Sequence, residues 1–506
     1  MADFSDCNRC HRAYGVRANC GIVGVYNHPA AAVISYYALH ALQHRGQEAC
    51  GIVAAGIEQG NGNVRFRWHK AKGLVLDVFS DSRILTEHLR GYAAIGHNRY
   101  STTGSNSDAN IQPFAIRYHA GNLALSHNGN LTNTIALRRS LQAEGAIFQS
   151  TSDSELFLHL VARSKEPTEL RRIREALRTA RGAYSLVLLT DSALYAARDP
   201  HGFRPLAIGR LRNPDGSFAY LVASETCAFD IVGAEYIRDV QHNELVVINA
   251  QTITDGTIES YPIEDVTPTA RQCIFEYVYF ARPDSIVFGH SVDKVRRKLG
   301  KNLALEHPVS NDDFDKVTVI AVPDSANTAA LGYAKVNAED NGIPTRFEIG
   351  LIRSHYVGRT FIAPDQDERA LKVKAKFNPV RGVLEGRKVV IVDDSIVRGT
   401  TSKQLVQLVR SAGPAQVHVR ITSPPITHPC KYGMDFPSRE ELIANHHADI
   451  ESIGCEIGAD SLAYLSVEGL LDAVPQHDGI GYCTACFTGD YPVEIEHDMS
   501  KYSTES

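Results

Sequence analysis

The sequence predicts a mixed α/β and α+β chain, built as two unlike halves behind a short polar leader. Three observations predict it. The 506 residues allow two to four domains at about 150 residues each. The first half is a succession of short strands broken by Gly, Asn and Asp turns, the pattern of packed sheets with helices on their faces. The second half carries continuous β-branched apolar runs, each followed by a helical segment, the pattern of buried parallel strands in βα units.

Residues 1–19 are polar and read as a separate leader. The dense apolar pattern starts at Cys20 with the strand CGIVGVY, followed by a helix expected over Ala30–Gln47 and the strand GIVAAG. YAAIGHNRYST (92–102), LALSHNGNLT (123–132) and YSLVLLT (184–190) read as further strands, and Glu155–Arg163 as a helix. Residues 250–270 are polar, lack a long apolar period and read as a boundary. VTVIAV (317–322) and KVVIVDD (388–394) are the clearest buried strands. The expected division is a leader 1–19, a first domain 20–255, a second domain 256–480 and a C-terminal segment 481–506.

Composition narrows the classes of function. Apolar residues make up 43% and charged residues 22%, too apolar for a disordered chain. Lys and Arg number 52 against 58 Asp and Glu, leaving a net charge of −6, which argues against a nucleic-acid partner. No apolar run approaches the roughly 18 residues of a membrane span, and the leader lacks the apolar core of a secretory signal. Neither membrane nor nucleic acid is expected as a partner, and a cytoplasmic location follows by default. Ten Cys are too sparse for a disulfide scaffold, so metal binding and nucleophilic chemistry are their expected uses. CNRCH at 7–11 matches the spacing of haem attachment, but it lies in the leader and no export signal accompanies it.

The most informative string is VVIVDDSIVRGTTSKQLVQLVRSAGP, residues 389–414. A buried strand ends in Asp393 and Asp394. A loop with Gly399, Thr400 and Thr401 then opens a helix whose apolar face is Leu405, Leu408 and Val409, closed by Gly413 and Pro414. Ligands of open α/β sheets bind at the carboxyl ends of strands. Backbone amides and Thr hydroxyls at a helix N-terminus suit a phosphate. A carboxylate pair accepts from vicinal sugar hydroxyls or helps to hold Mg²⁺, an ion that prefers oxygen. An acidic strand end with a Thr cap is also ordinary loop chemistry. The coincidence of all these features in VVIVDDSIVRGTT argues for the phosphate site.

That string resembles the phosphoribosyl-pyrophosphate (PRPP) motif of the type I phosphoribosyltransferases. YVGRTFIAP (356–364) and EYVYFARPDS (276–285) are similar to segments of the glutamine PRPP amidotransferase family. The resemblance implies a PRPP site at Asp393, Asp394, Ser395, Gly399, Thr400 and Thr401. It also implies a magnesium-associated set of Ser325, Asp393 and Asp394, with Ser325 drawn from VPDSA (322–326). RALKVKAKFNP (369–379) resembles the family's mobile loop, making Lys376 and Arg359 phosphate partners; a solvated charge run is the bland alternative. Family members carry Asn-Arg-Tyr before VGRTFI where this chain has Ser354-His355-Tyr356, so Ser354 and His355 receive no role.

In the first half, single elements have ordinary readings. A Cys before Gly is usually a packed thiol. Asn128-Gly129 is a hairpin signal, Ser152 with Glu155 fits a capping box, and Arg99 fits a surface position. Together CGIVG, LQHRGQE (42–48), GHNRYSTTG and SHNGN resemble the glutaminase domain of the N-terminal nucleophile hydrolases over most of residues 20–250. The resemblance implies an αββα sandwich followed by the phosphoribosyltransferase parallel-sheet domain. It implies Cys20 as nucleophile, its own α-amine as base, and Asn128 with Gly129 as oxyanion donors. Arg99 and Asp153 are then expected to hold the α-carboxylate and α-ammonium of glutamine. Cys20 is internal, so cleavage between Asn19 and Cys20 is required, and residues 1–19 are expected to be a propeptide.

CTAC at 483–486 alone reads as a redox pair, a zinc half-site or chance. Cluster-bearing members of the family have ligands in contexts similar to QCIFEYVYFARP, ITHPCKYG and CTACFTGDYP. The resemblance therefore implies Cys273, Cys430, Cys483 and Cys486 as ligands of a [4Fe–4S] cluster; the same four thiolates would also suit zinc. Cys50, Cys227 and Cys455 read as ordinary buried or partly buried thiols. The function implied is glutamine hydrolysis coupled to amination of PRPP, the entry to purine synthesis, in a homotetramer inhibited by purine nucleotides. Three rivals are a glutamine-dependent sugar-phosphate aminotransferase, a silent PRPP or glutamine sensor, and an iron–sulfur redox protein. The first lacks a PRPP loop such as residues 389–401, the second predicts a missing nucleophile or a broken acidic pair where Cys20, Asp393 and Asp394 are all present, and the third leaves both motif sets unexplained.

Overall fold

The computed structural model describes residues 20–58, 62–100, 107–354 and 376–496. Strands with both faces buried read as continuous apolar runs, and both halves are built from such strands. A seven-stranded antiparallel sheet has the order Glu235–Asp239, Ala207–Arg212, Phe218–Ala223, Gly21–Tyr26, Ala93–Arg99, Ala49–Ile57, Val64–Lys72. A six-stranded antiparallel sheet has the order Glu259–Pro262, Glu244–Asn249, Ala193–Arg198, Gly182–Thr190, Gly121–Leu131, Phe114–Tyr118.

Alternation along each strand sends side chains to two different cores. Ile22 and Ile95 meet Val187 and Val246 between the sheets. Val23 and Val25 turn outward against Ala38 and Leu39 of the helix Ala31–Ala41. On the opposite outer face Leu125 and Leu186 pack on Leu156 and Phe157 of the helix Glu155–Arg163 and on Leu177 of Glu169–Thr179. This is the αββα sandwich that the motifs imply.

Two details differ from the sequence reading. The first helix stops at Ala41, and Gln43–Arg45 forms a separate 3₁₀ turn. The turn brings the Arg45 guanidinium into a buried carboxylate pocket, described below, which a continuing helix would not do. The polar stretch after residue 250 is structured: Asn249 caps a short helix Ala250–Asp255, and Glu259–Pro262 then adds an edge strand to the six-stranded sheet. The sheet therefore runs past residue 255.

The second half holds a five-stranded, wholly parallel sheet in the order Thr345–Phe347, Val317–Ala321, Lys388–Asp393, Gln416–Ile421, Ser461–Tyr464. Val319, Val390 and Val392 face Leu299, Leu303 and Tyr333. Ile320, Val389 and Ile391 face Leu405 and Val409 of the helix Thr400–Arg410 and Ile453. A separate parallel pair joins Ala270–Cys273 to Ile480–Cys483 and returns the C-terminal segment to the start of this half. Among the described residues no helix is long and apolar enough to cross a membrane.

Candidate functional site

Cys20 stands at the head of the central strand Gly21–Tyr26, where Gly21 faces Asn98. Arg99, the residue after Asn98, is only 4% exposed; it is not a surface residue. The Cys20 Sγ lies 3.6 Å from the Tyr100 carbonyl oxygen. Burial pushes the thiol up to about 11, with Arg99 opposing the shift and Asp153 and Glu48 adding to it. Such a thiol is not ionised at neutral pH and needs a base. The nearby histidines do not supply one. Burial drives His97 down to about 3 and also lowers His127, so both are weak, neutral bases. His97 Nε2 instead meets the His127 carbonyl oxygen at 3.1 Å, and His127 Nδ1 meets Ser154 Oγ at 2.8 Å.

Asn128 and Gly129 lie within the strand Gly121–Leu131, not at a hairpin turn. Both polar atoms of the Asn128 side chain are buried and without a partner among the described residues. Buried polar groups are rarely left unpaired, so this amide is free to bond to a ligand atom. Gly129 has φ +153°, and a Cβ there would run into the Ala183 carbonyl, so only glycine fits. Asp153 is 4% exposed and its Oδ2 accepts from the Leu131 N–H at 3.0 Å. The capping box is not formed. Glu155 instead accepts from the Gln149 and Ser150 N–H groups, each at 2.8 Å.

In the second half Asp393 ends its strand and Asp394 follows. Asp394 Oδ2 accepts from Ser325 Oγ at 2.6 Å and Oδ1 from Ser395 Oγ at 2.7 Å. Burial raises both carboxyls, and for Asp393 the neighbouring charge of Asp394 adds to it. A cation at that point relieves the pair. Gly399 has φ +74° at the N-cap of Thr400–Arg410, and a Cβ there would meet Ile443 Cδ1. The loop thus presents a free helix N-terminus at Thr400 and Thr401, a ready anion site. Burial lowers the Lys376 ammonium, and Arg353 beside it adds to the shift. Arg353 in turn pairs with Asp324 Oδ2 at 2.8 Å. Ser354 is exposed, and its N–H donates to the Lys376 carbonyl at 2.9 Å. Arg359, His355 and the leader lie outside the described residues.

The structure draws Cys273, Cys430, Cys483 and Cys486 around one cavity, which Phe203, Phe275, Tyr432, Met434, Phe436 and Tyr491 help to line. Cys273 faces Cys483 across the parallel pair. The Cys430 sulfur accepts from the Tyr432 and Met434 N–H groups at 3.3 and 3.4 Å. Burial pushes Cys273 up to about 11 and raises Cys483 and Cys486 as well. Among the described residues no three His, Cys, Asp or Glu side chains gather closely enough to hold one metal ion. The four thiols share one cavity, and thiolate sulfur is a donor that suits iron–sulfur clusters and zinc alike. Cys50 and Cys227 are buried, but Cys455, read as at least partly buried, is exposed on Ile450–Ile457.

The sequence reading missed a buried charge network between these sites. Arg45 Nε donates to the Cys20 carbonyl at 3.3 Å, and its Nη atoms bond to Glu225 and, at 2.9 and 3.1 Å, to Glu276. Arg204 pairs with Glu276 at 3.3 Å and donates to the Tyr432 carbonyl. All four side chains are fully buried. Arg45 lies in LQHRGQE and Glu276 in EYVYFARPDS, so the strings carried the signal, but no pattern paired them. Beneath the second site Arg296 is also buried and donates to the Tyr277, Ala281 and Ser325 carbonyls.

A family model described as a glutamine amidotransferase domain matches residues 97–230. Amidophosphoribosyltransferase of Bacillus subtilis (strain 168) is 45% identical over 488 residues, 96% of this chain and 96% of that one. A solved structure described as the allosteric regulatory enzyme of purine biosynthesis has 46% identity and a TM-score of 0.84, covering 95% of this chain and 97% of the other. Glutamine PRPP amidotransferase from B. subtilis, complexed with ADP and GMP, has 45% identity and a TM-score of 0.83, over 95% of this chain and 99% of that one.

Proposed function

Because the chain belongs to the amidophosphoribosyltransferase family, we propose an assignment of that activity to its residues. The enzyme hydrolyses glutamine and transfers the ammonia to PRPP, giving 5-phosphoribosylamine, glutamate and pyrophosphate in the first step of de novo purine synthesis.

After cleavage between Asn19 and Cys20, the Cys20 α-amine, titrating near pH 7.7–8.0, takes the thiol proton while Sγ attacks the side-chain amide carbon of glutamine. The oxyanion is received by the Asn128 amide and the Gly129 N–H. The amine returns the proton to the leaving ammonia, and water hydrolyses the thioester, restoring the thiol and releasing glutamate. Arg99 and Asp153 hold the substrate's carboxylate and ammonium. The observation that carries this reading is the buried Asn128 amide beside Gly129, which has no partner among the described residues; the high Cys20 thiol pKa and the neutral histidines support the amine as base.

In the second half Thr400, Thr401 and Gly399 receive the 5-phosphate, and Asp393, Asp394 and Ser395 the ribose. Arg359 and Lys376 bind the pyrophosphate. Ser325, Asp393 and Asp394 supply the oxygen donors that would hold a magnesium ion, and bound magnesium would neutralise the leaving pyrophosphate. Cys273, Cys430, Cys483 and Cys486 would hold a [4Fe–4S] cluster that pins the C-terminal segment to the body. We place the enzyme in the cytoplasm, because four free cluster thiols need a reducing compartment. The homotetramer rests on the family resemblance. Purine-nucleotide inhibition rests on it too, and on the relative holding ADP and GMP.

The test measures pyrophosphate release from Mg²⁺ and PRPP with glutamine or ammonium, together with the intact mass of the protein. Cys20→Ala is expected to abolish glutamine-driven release and keep ammonium-driven release. A fully glutamine-active species still carrying residues ahead of Cys20 would overturn the amine as base.

A further inference from the structure

The nucleophile and its oxyanion donors stand on different sheets. Cys20 heads Gly21–Tyr26 of the seven-stranded sheet, and Asn128 and Gly129 belong to Gly121–Leu131 of the six-stranded one. Catalysis needs such groups held within a fraction of an ångström of one another. Asn128 does not anchor itself, since its amide atoms have no partner among the described residues, and Gly129 has no side chain. The next side chain on the face of residue 128 is that of Asn130, because faces alternate along a strand.

Asn130 is 7% exposed, and its Nδ2 donates to the Lys431 carbonyl at 2.9 Å. Lys431 belongs to the loop that follows Cys430. That loop is gripped from another side by Arg204, which donates to the Tyr432 carbonyl at 3.1 and 2.8 Å, and by the Phe203 ring stacked on Tyr432 at 4.3 Å. Arg204 shares Glu276 with Arg45, which reaches the Cys20 carbonyl. The chain of contacts therefore closes: from Cys20 through Arg45, Glu276 and Arg204 to the 430–432 loop, and from that loop through Asn130 to the oxyanion donors.

We infer that Asn130 is a positioning residue for the glutamine half-reaction: bonded to the Lys431 carbonyl, it holds Asn128 and Gly129 in register with Cys20 through a loop of the second half. The inference deepens the proposed reading of Cys20, Asn128 and Gly129, and rests on it. Asn130 itself is assigned no contact with substrate. Its loss raises the barrier and leaves ground-state glutamine binding, which belongs to Arg99 and Asp153, intact.

The experiment compares the processed full-length enzyme with Asn130→Ala and Asn130→Asp. An aldehyde analogue of glutamine reports the oxyanion site: Sγ bonds to the carbonyl carbon, the C=O π bond opens, and the thiol proton moves to the oxygen. Glutamate, as a competitive inhibitor, reports ground-state binding. For Asn130→Ala the glutamine kcat and the aldehyde affinity fall together by about tenfold. Glutamine KM, glutamate affinity and ammonium-driven release stay within about twofold. Asn130→Asp, which turns a carboxylate toward the Lys431 carbonyl, loses at least as much. Full glutamine turnover in either variant overturns the inference, as does a parallel loss of ammonium-driven release, the mark of general damage. A parent enzyme that binds the aldehyde no more tightly than glutamate sinks the nucleophile reading itself, and this inference with it.

Discussion

Burial raises the proton affinity of Asp393 and Asp394, and for Asp393 the charge of Asp394 adds to it, a cost that a bound cation would offset. A carboxyl whose folded pKa lies above its unfolded value of about 3.9 lowers stability as pH rises from there through the folded value. Asp393→Asn removes the term. Its melting temperature at pH 7.5 should exceed the parent's by about 1–3 °C without Mg²⁺. The difference should shrink as pH falls through about 4 and vanish below about pH 3, where the carboxyls are protonated in the folded and the unfolded state alike. Pyrophosphate release with either nitrogen donor should fall by about tenfold or more, because half of the charge proposed to hold magnesium is gone. Thermal unfolding across that pH range, with and without Mg²⁺, checks both the sign and the window. The Asp pair was legible in the sequence because a strand, two acids and a Thr-capped helix follow one another directly. Asn128 was harder: Asn-Gly is a turn signal, and only its place inside Gly121–Leu131, with no partner for its amide among the described residues, removes the turn reading.

The proposed phosphate loop depends on one backbone angle. Gly399 at φ +74° turns the chain so that the helix starts at Thr400. A Cβ there costs about 1–2 kcal/mol of left-handed strain and also meets Ile443 Cδ1. Gly399→Ala should therefore raise the PRPP KM by about tenfold, with near-normal folding and glutamine binding. Adding Ile443→Ala removes the crowding and leaves the strained angle, so it should not restore the KM. Recovery in the double variant would show that crowding alone was at fault. At this scale the strands were the most legible elements, since burial on both faces writes them as apolar runs such as VVIVD. The ends of elements were less so. The helix expected to reach Gln47 stops at Ala41, because Arg45 is turned into Glu225 and Glu276, acids far away in sequence. The polar stretch after residue 250 concealed an edge strand, which buries little and so leaves little apolar pattern.

What joins the halves left no local pattern at all. Arg45 reaches Glu225 and Glu276 across 180 and 231 residues, and each residue alone reads as a solvated charge. Folded, two arginines and two glutamates form a fully buried set between the sandwich and the start of the second half. Removing one partner of a buried pair costs about 3–5 kcal/mol, because a desolvated charge is left uncompensated. Glu276→Gln leaves two buried arginines facing one carboxylate. It should lower stability by that amount and also release the bridge by which the halves unfold as one unit. Trp68, the chain's single tryptophan, lies on the edge strand Val64–Lys72 of the first half and reports that half alone. In the parent, the urea transition followed by Trp68 fluorescence should coincide with the loss of PRPP binding by the second half. In Glu276→Gln both should move to lower urea and separate from each other. Coincident transitions in the variant would mean that apolar packing, not the buried charges, couples the two halves. Glutamine turnover should fall further than ammonium turnover, since Arg45, whose guanidinium Glu276 orients, also holds the Cys20 carbonyl.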